Sequence, residues 1–525
     1  MCASRPSGSQ TEVLADILQG ECSNKKGSTW HRHVQLINGR ASEAKVYPPM
    51  LVKAILEGIR KQLEEDGEMQ KDVCGIGPVP EEAIHLEDET FYTDDTTGAY
   101  LETPLVEAAR KEELDWVKKQ GTYKVVSTDE CWKVTGKPPV TLKWLDINKG
   151  DEENPRYRSR LVCREIKKKG QRVLPDHQLF SSMPPLEAMK ILGSKMVTVK
   201  VSKPRRKPLK LKLYDISRAH LYGIAKRKVY VTLPMEEHEE GKCGLLEKSM
   251  YGTQDAAAIW QDDYSVLLIE NGFKRGVSSA SVFYNEEWDM RCLVHGDDFL
   301  CLGDDEAQAM MEKLLTQKYD YKVVGGIGPD SSDGEEMCVL NRTLRFNKYT
   351  GVLTYEADQR HAELIVRELG LQSAKAVSTP HEKKNLEQIM QDDKTPVLTG
   401  EDVVKYRSLT MRASYLSQDR SDICDTVKIL ARKMKEPNEA DMSDLKRLGR
   451  FLKGKPRVVI TYRPQKFYKG IDVYVDSDHA GCLRTRKSTS GVIVMLGGHC
   501  VKGSAGLQST ISLRLNSTAL SRGQP

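Results

Sequence analysis

Residues 291–301, RCLVHGDDFLC, place an acidic doublet, Asp297 and Asp298, inside an apolar run. Apolar runs of this length are typical of a buried strand or hairpin. Two carboxylates in such a run are costly unless a cation or a proton compensates their charge. The chain has five Asp-Asp pairs, and only this pair lies in a hydrophobic strand context. From this segment alone two interpretations stay open, a cation-binding hairpin or a tight turn whose Asp side chains face water.

A second acidic strand favours the cation site. Residues 209–216, LKLKLYDI, alternate apolar with basic side chains and place Asp215 near the end, and residues 229–234 have the pattern of another strand that ends at Pro234. Enzymes that join nucleotides use carboxylates from separate strands to hold two divalent ions about 4 Å apart. Oxygen ligands suit Mg²⁺. One carboxylate from a first strand and two from a hairpin are therefore the pattern that such a site needs.

Several ordered blocks of the chain together resemble the reverse transcriptase of copia-type LTR retrotransposons, a part of their Pol polyprotein. Three blocks match the family's first palm Asp, its Gln-containing block and its Asp-Asp hairpin: LYDISRAHLYGIAKRKVYVTLP (213–234), KSMYGTQDAAAIW (248–260) and VHGDDFL (294–300). Other blocks are similar to its fingers, thumb, connection and RNase H opening: WLDINKGD (144–151), RYRSRLVCREI (156–166), LNRTLRF (340–346), YEADQRHAELI (355–365), YRSLTMRASYLSQDRSDI (406–423), and YVDSDHAG with RTRKSTSG (474–491). The resemblance covers roughly residues 90–510, and ordered blocks are more specific than any single motif.

The resemblance implies an α+β fold of the right-hand polymerase type. Fingers, an antiparallel palm and a thumb would be followed by a helical connection and an incomplete RNase H-like α/β domain. We expect an N-terminal region and linker of unassigned function over 1–107, fingers and palm over 108–325, thumb and connection over 326–465, and a truncated RNase H-like domain over 466–525.

The resemblance also implies RNA- and DNA-templated DNA synthesis by two-metal nucleotidyl transfer. Asp215, Asp297 and Asp298 would be the catalytic residues and the ligands of two Mg²⁺ ions, with Mn²⁺ as a substitute. Asp215 and Asp297 would bridge both ions and Asp298 would support them. The partners would be an RNA template, a DNA primer and dNTPs, together with the capsid and integrase proteins of an intact element.

Four residues are candidates for substrate binding. Arg158 and Arg160 match the family's basic fingers block and would hold the triphosphate, because guanidinium groups bind phosphate oxygens bidentately; a solvated strand face is the alternative. Gln254 would line the nucleotide pocket, although Asp255 follows it where the family has Ala. His220 stands where the family usually carries Phe or Tyr, whose ring excludes ribonucleotides, so we predict weaker sugar discrimination.

The C-terminal region argues against RNase H activity. Asp476 matches the family's first RNase H Asp, but no Asp or Glu follows Asp478. Two-metal hydrolysis needs several carboxylates from separate elements. We therefore predict that RNase H activity is lost. This damage leaves an alternative function open for the whole chain, a catalytically inactive nucleic-acid-binding remnant of a decayed retroelement.

Composition sets the remaining expectations. A chain of 525 residues is too long for one core, and 39% hydrophobic with 30% charged residues is typical of a soluble globular protein. No apolar run or leader predicts a membrane span or signal peptide. Twelve cysteines without a C-x-x-C pair argue against a zinc module or a disulfide framework and favour a reducing compartment. We expect the cytoplasm, including virus-like particles, or the nucleus.

Local patterns predict three helices and one loop. We expect helices over 50–65, from Asp358 as N-cap to an end at Gly370, and over 443–452. The Gly- and Asp-rich residues 325–336 predict a loop ahead of the thumb.

Overall fold

The computed structural model describes residues 92–151, 153–166, 175, 179–199, 207–467 and 469–511. All of them lie in the second of the chain's two units, Phe91–Pro525. The helix predicted over 50–65 lies outside the described residues.

The described residues alternate between helices and strands along the chain. The helices are α1 (Thr103–Lys119), α2 (Thr128–Thr135), α3 (Leu186–Met196), α4 (Ala256–Glu270), α5 (Asp305–Thr316), α6 (Arg360–Glu368), α7 (Leu386–Asp392), α8 (Gly400–Ser417), α9 (Cys424–Ala431) and α10 (Glu439–Gly454). The strands are β1 (Tyr92–Thr93), β2 (Tyr100–Leu101), β3 (Tyr123–Ser127), β4 (Leu142–Asn148), β5 (Tyr157–Cys163), β6 (Thr198–Val199), β7 (Lys210–Ile216), β8 (Tyr230–Val231), β9 (Lys242–Leu246), β10 (Phe273–Arg275), β11 (Val282–Asn285), β12 (Met290–His295), β13 (Asp298–Gly303), β14 (Tyr321–Ile327), β15 (Glu336–Val339), β16 (Arg342–Asn347), β17 (Val352–Ala357), β18 (Val459–Tyr462), β19 (Gln465–Lys466), β20 (Asp472–Ser477), β21 (Lys487–Leu496) and β22 (His499–Ile511).

A six-stranded antiparallel sheet in the order β10-β11-β12-β13-β7-β14 positions the acidic residues. Successive side chains of a strand point to opposite faces. On β7, Tyr214 therefore packs into the core shared with α4 and α5, whereas Leu211 and Leu213 pack into the core shared with α3 and β15–β17. Both faces of the sheet are covered, so the sequence shows apolar runs in its central strands.

Both strands predicted to carry carboxylates are present. The predicted strand over 209–216 is β7, and residues 291–301 form the hairpin of β12 and β13. Each strand is largely buried, as the apolar runs predicted.

Both helices predicted within the described residues are present, and each begins at a different residue from the one predicted. Helix α6 begins at Arg360 with Gln359 in the N-cap position, one residue later than an N-cap at Asp358 implies. The Asp358 carboxylate nevertheless accepts from the backbone N–H of Arg360 at 2.9 Å, a contact typical of a capping side chain. The end of α6 at Gly370 is confirmed by a left-handed φ of 68° there. Helix α10 begins at Glu439, ahead of the predicted 443, because Asn438 and Asp441 form a capping box. The loop predicted over 325–336 is shorter, since β14 continues to Ile327.

The remaining elements surround the central sheet. Strands β15-β16-β17-β18 form a second antiparallel sheet, helices α6, α8, α9 and α10 share a core, and β20-β21-β22 form a three-stranded sheet near the C-terminus. Strands β4 and β5 form a separate hairpin, and β3-β9-β8 form a small sheet. Mixed helices and mostly antiparallel sheets confirm the α+β class. Among the described helices, none combines the length and apolarity that crossing a membrane requires.

Candidate active site

Strand register brings the three predicted carboxylates to one end of the central sheet. Asp298 on β13 lies directly opposite Asp215 on β7, and His295 pairs with Asp298 across the hairpin. Directly opposed residues share a face of the sheet with Cβ atoms roughly 5 Å apart. Asp297 lies in the two-residue turn, and its carbonyl accepts from the backbone N–H of Ile216 at 2.9 Å. Asp215 and Asp298 are therefore strand neighbours, and Asp297 is held beside them by the turn.

The charges of these carboxylates act on one another. Burial, reinforced by the charges of Asp297 and Asp215, raises the pKa of Asp298 to about 6. Burial and the charge of Asp297 also raise the pKa of Asp215, against the opposing effect of Lys322 and more distant cations. Within the part of the chain that the structure describes, none of the three carboxylates takes part in an ion pair. Among the described residues, the end of the sheet is thus a half-buried acidic region whose carboxylates have no ion-pair partner, with Lys322 and Arg160 near enough to act on Asp215.

This acidic region fits a divalent cation by its chemistry. Carboxylate oxygens are the ligands that Mg²⁺ prefers, and a cation would offset both the burial and the repulsion between carboxylates that raise the pKa of Asp298. No group of three or more His, Cys, Asp or Glu side chains among the described residues already has the spacing of a metal site. The three side chains would therefore have to close around an ion.

Lys322 is a neighbour of the site that sequence reasoning missed. It lies opposite Asp215 on β14, on the side away from Asp298, and its side chain is exposed. Its ammonium is the largest of the opposing influences that lower the pKa of Asp215. Nothing in the local sequence signals this role, because it depends on β14 pairing with β7.

Arg160 and His220, two predicted substrate residues, meet beside the acidic region. The Arg160 guanidinium lies 4.3 Å from the centre of the Tyr251 ring, and the His220 ring meets Tyr251 edge-on at 5.2 Å. Arg160 lowers the pKa of Asp215, and the charge of Asp297 acts on both His220 and Tyr251. Tyr251, within the block 248–260, was not singled out from the sequence.

His220 is a neutral imidazole with unused hydrogen-bonding capacity. Burial lowers its pKa below the ordinary value of 6.5, so the ring is uncharged near pH 7. Its Nδ1 atom is buried and has no hydrogen-bond partner among the described residues. A buried, unsatisfied ring nitrogen is costly, and a ligand hydroxyl could satisfy it.

Arg158 and Gln254 are not brought into contact with the acids. Arg158 lies two residues from Arg160 on β5 and pairs with Ile147, so the two arginines share a face. The backbone N–H of Gln254 donates to Glu165 at 2.9 Å, while no described contact joins the Gln254 side chain to the carboxylates. Their roles stay predictions.

The turn before α4 joins the β4–β5 hairpin at its base. The backbone N–H of Cys163 donates to the carbonyl of Tyr251 at 2.7 Å. At Gly252, φ is +84° and a Cβ atom would lie 2.0 Å from the Cys163 carbonyl oxygen. Only glycine fits this approach, so the two segments touch backbone to backbone.

Asp476 lies apart from the central sheet. It is exposed on β20 opposite Gly491, and Asp478 beyond the strand accepts from the backbone N–H of Thr489 at 2.5 Å. Asp478 thus has a structural contact with the neighbouring strand β21.

The chain is similar to reverse transcriptases and to retrotransposon polyproteins. Residues 120–332 match the family model of reverse transcriptase (RNA-dependent DNA polymerase). The retrovirus-related Pol polyprotein from transposon TNT 1-94 of Nicotiana tabacum is 24% identical over 421 residues, which cover 77% of this chain and 29% of that protein. The Pol polyprotein from transposon RE1 of Arabidopsis thaliana is 25% identical over 400 residues, covering 73% and 25%. The chain thus spans less than a third of these relatives.

One solved structure is also similar to the chain, with a lower sequence identity than the polyproteins have. The foamy viral protease-reverse transcriptase in complex with double-stranded DNA shares 12% sequence identity at a TM-score of 0.40, over 77% of this chain and 56% of that chain.

Proposed function

We propose that this chain is an RNA- and DNA-templated DNA polymerase of a copia-type retrotransposon that acts by two-metal nucleotidyl transfer. The match of residues 120–332 to the reverse transcriptase family model and the similarity to retrotransposon Pol polyproteins support the proposal. The observation that carries the proposal is the register that sets Asp215 opposite Asp298, with Asp297 on the adjoining turn. Three half-buried carboxylates without an ion-pair partner among the described residues are what a site for divalent cations needs.

Asp215, Asp297 and Asp298 would hold two Mg²⁺ ions, or Mn²⁺ in their place. Bound cations would make the primer hydroxyl a better nucleophile and offset the charge of the leaving pyrophosphate. Asp215 and Asp297 are proposed to be shared between the ions, with Asp298 in support. The turn gives Asp297 a direction independent of the strand, so neighbouring acids can point into one site despite the alternation of β13.

Arg160 is the residue best placed for the triphosphate. Its guanidinium is fixed over the Tyr251 ring at 4.3 Å and acts electrostatically on Asp215. A fixed guanidinium loses less entropy on binding phosphate oxygens. Arg158 and Gln254 would line the same nucleotide-binding region, and the neutral His220 would face the sugar of the nucleotide.

An RNA template, a DNA primer and dNTPs would be the partners, with capsid and integrase proteins where the element is intact. RNase H activity is proposed to be lost, because residues 479–525, the stretch directly after Asp476 and Asp478, contain no Asp or Glu. Hydrolysis by two metals needs more ligands than these.

Primer extension on poly(rA)/oligo(dT) with Mg²⁺ or Mn²⁺ tests the proposal. We expect the unaltered chain to extend the primer and Asp297→Asn to lose that activity. Asp304→Asn is the matched control, since Asp304 caps helix α5 at the far end of β13 and Asn caps a helix about as well. Equal extension by the unaltered chain and Asp297→Asn would contradict the proposed site.

A catalytically inactive nucleic-acid-binding remnant is the second candidate. The polar His220 in place of an aromatic ring and the C-terminal region without acids favour it. Fluorescence anisotropy with a labelled primer–template separates the two candidates. Salt-dependent binding without extension in either metal would support the remnant and count against the polymerase.

A further inference from the structure

Trp260 makes a hydrogen bond to the tip of the acidic hairpin. It lies in α4, is 2% exposed, and donates from its indole Nε1–H to the carbonyl of Gly296 at 2.8 Å. A buried indole N–H needs a partner, and here the partner is the residue directly before Asp297.

The accepting carbonyl belongs to the peptide that sets the turn type. Gly296 has a φ of 63° and Asp297 does not have a positive φ, which is the pattern of a type II′ hairpin turn. A type I′ turn differs from it by a flip of the peptide between the two central residues and requires a positive φ at both. That flipped peptide would turn the Gly296 carbonyl away from Trp260. The hydrogen bond thus favours the turn in which Asp297 keeps an ordinary φ.

Trp260 is itself held rigidly. Its ring meets those of Tyr319, Tyr264 and Phe299 at centroid distances of 5.1, 5.4 and 6.3 Å. The packing of the ring and the donor N–H are therefore separable properties, since a ring of similar shape could keep the first without the second.

The direction of the Asp297 side chain follows from its backbone. On one side Trp260 fixes the Gly296 carbonyl, and on the other the Ile216 N–H fixes the carbonyl of Asp297. We propose that Trp260 is a positioning residue whose indole N–H holds the Gly296–Asp297 peptide and so aims the Asp297 carboxylate at the site shared with Asp215 and Asp298. This inference rests on the proposed function.

Trp260→Phe removes the donor and keeps an aromatic ring, and Trp288→Phe is the matched control because Trp288 packs on Phe273, away from the turn. Partners that orient metal ligands typically change metal affinity or activity by about 10- to 100-fold. We expect Trp260→Phe to weaken Mn²⁺ binding, measured by electron paramagnetic resonance of free Mn²⁺, by about 10-fold or more. We expect the primer-extension kcat to fall with it while the dNTP KM changes by less than about twofold, and the control to match the unaltered chain.

Replacing Trp260 by benzothienylalanine, in which sulfur stands for the N–H, keeps the bicyclic shape if the Phe variant does not fold. Loss of Mn²⁺ binding in this isostere supports the inference. Unchanged Mn²⁺ binding in a folded Trp260 variant overturns it. If the unaltered chain binds Mn²⁺ without extending a primer, the polymerase proposal fails, and the comparison of Mn²⁺ binding still decides the role of Trp260. If it does not bind Mn²⁺, both fail.

Discussion

Asp298→Asn should stabilise the metal-free protein while removing a proposed metal ligand. The pKa of Asp298 rises from 3.8 to about 6 on folding, and each tenfold change in acid dissociation corresponds to about 1.36 kcal/mol. The ionised side chain therefore costs at most about 3 kcal/mol of folding free energy. Asp298 keeps some contact with solvent, which screens its charge, and we expect a gain of about 1–2 kcal/mol on substitution.

The sign of the pH dependence follows from the raised pKa. The folded state binds the Asp298 proton more tightly than the unfolded state does. Below pH 3.8 the carboxyl is protonated in both states and does not lower the free energy of unfolding, whereas above about pH 6 it is ionised in both and lowers that free energy by the full amount. Asn cannot ionise. The stability advantage of Asp298→Asn should therefore be largest near pH 8 and disappear as the pH falls towards 4.

Thermal unfolding in EDTA, followed between pH 4 and pH 8, measures this difference. Asp304→Asn is the control, because its carboxylate accepts from the N–H of Ala307 at 3.0 Å and an amide oxygen can do the same. Added Mg²⁺ should then stabilise the unaltered chain more than Asp298→Asn, since a ligand stabilises the state that binds it. If Asp298→Asn were no more stable than the unaltered chain at pH 8, or if its advantage were as large at pH 4, burial and the neighbouring carboxylates could not raise the pKa of Asp298 as described.

Three further predictions test other parts of the molecule. Glu356→Gln should lose about 1–3 kcal/mol near pH 7, because the Arg457 hydrogen bonds lower the pKa of Glu356; this stabilisation is fully present above pH 4.5 and is lost as the pH falls through the lowered pKa, so the deficit measured by urea unfolding should shrink on acidification. Cys292 and Cys301 lie opposite each other as buried free thiols, and burial raises the pKa of Cys301, so both should resist alkylation by iodoacetamide in the folded protein; rapid labelling of either thiol, located by peptide mass spectrometry, would contradict the buried β12–β13 hairpin. His220→Phe should discriminate more strongly against rNTPs in primer extension, and equal discrimination would count against its place beside the sugar.

The sequence predicted those parts of the site that depend on local pattern. Strand β7 and the hairpin were predictable because apolar alternation and a Gly-Asp turn are encoded within a few residues of Asp215 and Asp297. The approach of the two segments followed from the family resemblance, and strand register bears it out. The domain boundaries, including the linker over 1–107, stay predictions.

Contacts that depend on how distant elements of the chain pack together could not be predicted from the sequence. Lys322 reaches Asp215 only through the pairing of β14 with β7, and Trp260 reaches Gly296 only because α4 packs on the sheet. The register also makes Asp298, and not Asp297, the strand partner of Asp215. The alternation of side chains could not show which of the two acids has this position, because the position depends on where the turn lies. One sequence carries no direct signal for contacts of this range.

The backbone contact at Gly252 has a mechanical consequence for the β4–β5 hairpin. Its base is tied to the turn that carries Tyr251 by the Cys163 hydrogen bond and by an approach that excludes any side chain at Gly252. We expect a nucleotide-induced movement of the hairpin to be a flexing of its far end around residue 149, with Arg160 near the stationary end. Arg160 would then keep its position while the far end of the hairpin closes towards it, and would not move together with that end.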